Sequence, residues 1–181
     1  MAEFIVLSLP TVVYLIVQSR GPDKTLRSAM GRAGIGWGSA AAYAWALALL
    51  VPLMLTGWLA IELVPPDIRQ APGVSVAQVA SVGAALGVAL RAFGEEIFFR
   101  GLLGGVLMRR LGFGWGNLLQ AVLFLIPHLV LLTADLRTWP VLPVQFAAGW
   151  LLGWLRDKTA TLVPGGMIHT VVNIAAGLIA G

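Results

Sequence analysis

Gly94-Glu95-Glu96-Ile97-Phe98-Phe99-Arg100-Gly101 sets three charges inside a stretch that is otherwise almost continuously apolar. At helical pitch, about 100° per residue, Glu96 and Arg100 stand four apart and share a face. The acid precedes the base, which is the better orientation for a pair along a helix. Glu95 points about 100° away from that pair and is left to face something else. The spacing therefore predicts one carboxylate committed to structure and a neighbour available for chemistry.

The surroundings of this stretch decide the fold class. Of 181 residues, 59% are hydrophobic and only 11% are charged, against about a quarter charged in a soluble domain. With a mean hydropathy of +0.89, this composition predicts an all-α polytopic membrane helix bundle, read as one integral membrane domain over residues 1–181. The net charge of +4 does not indicate nucleic acid, because the basic residues are spread through short loops rather than along a stripe with exposed aromatics. Cysteine is absent, which excludes disulfides, thiolate metal sites and a cysteine nucleophile. The first apolar segment has neither a basic n-region nor a small-residue cleavage site, and reads as a retained helix.

Six apolar runs are expected to span: Phe4 to Val17, Ile35 to Val64, Val74 to Arg110, Asn117 to Leu132, Val141 to Leu155 and Leu162 to Ile179. The third reads as one long helix or as two pieces hinged near Gly94. Ser19 to Ala33, Pro65 to Gly73, Leu111 to Gly116 and Thr133 to Pro140 read as loops or turns. Alternate loops collect Arg20, Lys24, Arg27, Arg32, Arg109, Arg110, Arg156 and Lys158 on one side, while the other side holds Arg69 and Arg137. This bias puts the larger set in the cytoplasm and both termini outside. The patterns Gly83-x-x-x-Gly87, Gly101-x-x-x-Gly105 and Gly149-x-x-x-Gly153 predict close helix packing, and most of the tryptophans fall where interface anchors belong.

Strongly polar residues within the runs are few: Glu62, Arg91, Glu95, Glu96, Arg100, Asn117, Gln120, His128, Gln145, His169 and Asn173. Intramembrane ionisable groups face the bundle interior and mark functional pathways. Counted at 1.5 Å per residue from the cytoplasmic helix ends, Glu95 lies roughly 22 Å deep, His128 roughly 20 Å, His169 roughly 13 Å and Asn173 roughly 18 Å. Three helices thus bring an acid, two imidazoles and an amide to similar depths. Glu95 with His128 is suited to holding and deprotonating a water. His169 and Asn173, spaced four apart, are suited to stabilising the oxyanion formed when that water attacks a carbonyl. Pro127 predicts a kink beside His128. Two alternatives stay open: a zinc site built from Glu95, His128 and His169, and a non-hydrolytic transporter or scaffold. A serine mechanism lacks a well-placed partner, Ser81 being the only serine near the long helix's middle, and no Gly-x-Ser-x-Gly is present.

In this order and on successive hydrophobic segments, Glu95-Glu96-x-x-x-Arg100, Phe124-x-x-x-His128 and His169-x-x-x-Asn173 resemble the CPBP family, the CAAX proteases and bacteriocin-processing (Abi-type) intramembrane glutamic proteases. The approach Leu162-x-x-Gly-Gly-Met-Ile-His169 is also similar. The resemblance covers roughly Val74 to Ala180, so residues 74–181 read as the catalytic core. It implies an integral, multi-pass hydrolase of a prokaryotic inner membrane that cuts a peptide or protein substrate at the bilayer. It also implies Glu95 and His128 as the water-activating pair, His169 and Asn173 as the oxyanion site, and Glu96 and Arg100 as support. No cofactor, metal or nucleic acid is expected.

Overall fold

The largest side chain sealed from the surface is an arginine, and large aliphatic residues are turned outward. Arg100, Asn117 and Gln120 are 0% exposed and Glu96 is 1% exposed, whereas Leu47, Val51 and Leu55 on one helix are 65%, 65% and 60% exposed. A water-soluble core shows the opposite preference. Polar residues gathered inside and aliphatic residues outside are what a hydrocarbon solvent selects.

The computed structural model describes residues 1–21, 24–69, 79 and 81–180. Among these it is helical throughout, without strands: α1 Ala2–Ser19, α2 Leu26–Arg32, α3 Ala40–Glu62, α4 Pro66–Arg69, α5 Val82–Glu95, a π-helix Glu96–Gly104, α6 Gly105–Leu125, a 3-10 turn Ile126–Leu129, α7 Val130–Ala134, a second 3-10 turn Leu136–Thr138, α8 Val141–Thr159 and α9 Val163–Ala180. The expected loop through Pro72-Gly73 and the expected helix start at Val74 lie outside the described residues. Among the described residues, three stretches are long and apolar enough to cross a membrane, namely Ala2–Ser19, Ala40–Glu62 and Val82–Ala134. Val163–Leu178 is a shorter apolar helix.

The 53-residue stretch Val82–Ala134 is not one rod. Its backbone breaks at Gly112, with φ 75 and ψ 168, a combination that only glycine adopts without strain. The chain folds back there, so that Gly116 lies against the Met108 backbone, Gly104 against Gln120 and the Phe99 ring against Phe124. The Gly-rich turn read between Leu111 and Gly116 is this reversal. A methyl group at Gly112 meets nothing within 4 Å, so Gly112→Ala tests conformation alone. It is expected to cost about 1–3 kcal/mol, read as a lower melting temperature in detergent. An unchanged melting temperature would show that the turn relaxes freely.

Two of the glycine patterns sit at close approaches. Methyl groups on Gly101 and Gly105 would each lie 3.0 Å from a backbone carbonyl at the end of α2, those of Ala33 and Arg32. Gly149 and Gly153 bring α8 against Phe124 and against Asn117 and Gln120 of α6. The third pattern differs, because nothing lies within 4 Å of a methyl built on Gly87. The segment read as a polar loop from Ser19 to Ala33 also differs, since it contains α2. Thr25 and Ser28 form a reciprocal capping box at its first turn, which satisfies orphan backbone donors.

Candidate active site

The Gly94–Gly101 stretch carries the change of helix type. No hinge opens at Gly94; α5 runs into the π-helix at Glu96, and the helix widens without breaking. The i→i+5 pattern of a π-helix recurs at functional sites. Here the Thr11 hydroxyl of α1 donates to the Ile97 carbonyl at 3.2 Å, so the first helix docks on the widened turn.

Glu96 and Arg100 pair as their spacing predicts, with Arg100 Nη1 3.0 Å from Glu96 Oε1, both side chains sealed. The Arg100 guanidinium also lies 4.1 Å from the centroid of the Phe124 ring, a desolvated cation–π contact. The same Glu96 oxygen meets a second partner, His169 Nδ1 at 2.9 Å. On its other edge, His169 Nε2 stands 3.8 Å from Glu95 Oε2. One imidazole therefore spans the two neighbouring carboxylates. Glycine on α9 makes this possible: a methyl on Gly166 would lie 2.7 Å from the Phe93 ring, and Gly165 rests beside Glu96.

Glu95 is 13% exposed and its Oε1 takes a hydrogen bond from Arg91 Nε at 3.1 Å. Arg91 in turn reaches Glu3 of α1 at 3.6 Å. Helix geometry leaves Glu95 off the Glu96–Arg100 face, as predicted, yet Arg91 holds it from one turn back. Arg91 was visible in the sequence as the residue four before Glu95, but acid–base spacing counted only forward misses it.

His128 lies in the 3-10 turn that begins after α6, where Pro127 removes a backbone donor. The i→i+3 bonding of that turn releases the i−4 carbonyl. The His128 ring takes the freed carbonyl, with Nδ1 2.9 Å from the Phe124 oxygen. A carbonyl only accepts, so Nδ1 carries the proton and a neutral ring presents Nε2 as a lone pair. Phe124 is the shared wall: the His128 ring lies tilted to it at 4.8 Å, and His169 and Phe99 meet it edge-on at 6.4 and 5.1 Å. Glu95, Arg91 and His169 are the charged or titratable groups that act on His128 electrostatically.

Asn173, one turn beyond His169, is half-buried and lines a cavity of about 40 Å³ together with His169, Gln145 and Thr56. That volume has room for a few waters. The structure thus joins Glu95, Glu96, Arg100 and His169 directly, adds His128 through Phe124, and sets Asn173 on the cavity that His169 also lines. Among the described residues, no hydrogen bond ties His128 or Asn173 to either glutamate. Ser81 is the N-cap of α5, accepting from the Ala84 amide at 3.1 Å. Asn117 and Gln120 are buried at the α6–α8 seam, against Gly153. Among the described residues, no three His, Cys, Asp or Glu side chains form a group able to hold a metal ion.

A family model described as Type II CAAX prenyl endopeptidase Rce1-like matches residues 77–175. The matched span contains every residue of the cluster except Glu3 and Thr11 of α1 and Thr56 of α3. No curated protein and no solved structure matches this chain.

Proposed function

We propose, from the premise that the chain belongs to the Rce1-like family of type II CAAX prenyl endopeptidases, that it is a metal-independent glutamic endopeptidase working within the membrane. Its substrate is a membrane-associated peptide or protein, and the family name makes a prenylated C-terminal CAAX segment the first candidate. Glu95 is the general base. A water held between its carboxylate and the lone pair of His128 Nε2 gives a proton to Glu95, and the hydroxide attacks the scissile carbonyl. The carbonyl oxygen becomes an oxyanion that accepts from the Asn173 amide and from His169 Nε2. With Nδ1 donating to Glu96, His169 makes that second contact in its doubly protonated form. Glu95 then returns its proton to the leaving amine, and the two product chains separate without a covalent enzyme intermediate.

The observation that carries this reading is the bridging imidazole, with Nδ1 on the sealed Glu96–Arg100 pair and Nε2 toward Glu95. Glu96, paired with Arg100, holds the ring, and Glu95 keeps partial exposure beside it. This is the pattern of a reacting group backed by a positioning layer. The Asn173→Ala variant is the test proper to this assignment. With an internally quenched farnesylated peptide ending in a CAAX box, kcat is expected to fall about 10²–10³-fold while the melting temperature holds. Wild-type turnover by Asn173→Ala would remove the amide from the oxyanion site.

A further inference from the structure

A second cavity, among the described residues, is lined by none of the residues of the cluster just described. It measures about 240 Å³ and is walled by the end of α2, by α6 and by the end of α8. Arg32, Arg109 and Arg156 converge on it, with Asp157 the one carboxylate among its described lining residues. Arg109 Nη1 and Arg156 Nη2 both donate to the Arg32 carbonyl, at 2.7 and 2.9 Å. Arg109 Nη2 also donates to the Tyr14 hydroxyl at 2.9 Å. The absence of a side chain at Gly105 leaves space for both guanidinium groups to reach that carbonyl.

This arrangement is electrostatically incomplete. Two like charges crowd one carbonyl oxygen while the third, on Arg32, donates through Nη2 to the Gln18 carbonyl at 3.1 Å, and among the described residues none of the three guanidinium groups is ion-paired. The Nε–H groups of Arg32 and Arg156 are buried and lack an acceptor among the described residues. Buried donors of this kind are rare unless a partner completes them. Planar guanidinium forks match the oxygens of a phosphate two at a time. The volume is near the roughly 300 Å³ lower bound of small-ligand pockets.

We infer that this cavity binds a phosphate group, and specifically the headgroup phosphate of an anionic phospholipid. The depth favours a lipid over a free ion. Arg109 is three residues from the Gly112 reversal and Arg156 lies in the last turn of α8, so the cavity sits at the bundle end, where headgroups lie. That end carries the larger basic set, which the charge bias assigns to the cytoplasmic leaflet, and basic pockets between helices on that side are a recurrent lipid-binding device. Arg109 stands about 20 Å along the helix from Glu96, so the site is separate from the proposed chemistry and does not rest on it.

The test is thermal melting of the purified full chain in a non-ionic detergent, followed by tryptophan fluorescence, with added phosphatidylglycerol, phosphatidylcholine or inorganic phosphate. Phosphatidylglycerol is expected to raise the melting temperature saturably, with phosphatidylcholine and inorganic phosphate giving no comparable rise. Arg109→Gln is expected to weaken the apparent lipid affinity about fivefold, and Arg156→Gln similarly. Arg110→Gln, which removes the same charge outside the cavity, is expected to leave the response intact. An equal rise with phosphatidylcholine, or an undiminished response in Arg109→Gln, would overturn the site. A full rise with inorganic phosphate alone would overturn the lipid assignment. Native mass spectrometry supplies a readout independent of stability: retained phosphatidylglycerol in wild type and Arg110→Gln, and its loss in Arg109→Gln.

Discussion

Arg100→Ala is expected to destabilise the protein by about 3–5 kcal/mol, because it strands the Glu96 carboxylate in a sealed site. Glu96 Oε1 is held by Arg100 at 3.0 Å and by His169 at 2.9 Å, and its side chain is 1% exposed. After the substitution only the imidazole remains to balance it, and the Phe124 ring loses the cation above its face. The change is read from thermal melting in detergent, or from the denaturant midpoint where melting is irreversible. Adding Glu96→Gln to Arg100→Ala removes the orphaned charge and is expected to recover part of the loss. Recovery separates a charge effect from the simple deletion of a large side chain. A single variant as stable as wild type would show that the pair does not hold the π-helix to α9.

Glu95→Gln is expected to lower peptide cleavage by about 10²–10⁴-fold without lowering the melting temperature. Glutamine keeps the shape of the side chain and still accepts from Arg91, so the fold has little reason to change. It cannot take a proton from water near neutral pH. The neighbouring substitution Glu96→Gln is expected to behave differently, weakening the fold together with activity, because that carboxylate is bonded to both Arg100 and His169. Two adjacent glutamates with opposite phenotypes are the signature of the division between them. Cleavage near the wild-type rate in Glu95→Gln would remove it as the base.

The Glu96–Arg100 pair was legible because it depends only on local helical spacing, and that spacing survives the widened turn. The π-helix itself was not legible. The residues that follow Glu96 are apolar at nearly every position, so neither an α nor a π pattern stands out in them. Depth counting predicts one level for Glu95, His128, His169 and Asn173, but level says nothing of rotation about a helix axis. For that reason it could not show that His169 bridges both glutamates, or that His128 turns toward the Phe124 carbonyl. Gly101, Gly105, Gly149 and Gly153 announced their seams, while Gly87, with the same spacing, faces open space. Helix α2 was hidden by its polar residues, although Thr25 and Ser28 carried its capping signal. The order of the three motifs, rather than any single residue, made the family legible from the sequence.

The most direct test of a carboxylate-activated water is the cleavage rate of the wild-type protein after exhaustive chelation, with and without zinc added back. The substrate is any peptide that the untreated protein cleaves. An unchanged rate in chelator, with no gain from zinc, is the expected result. A rate lost to the chelator and restored by zinc would contradict it and transfer the water to a metal.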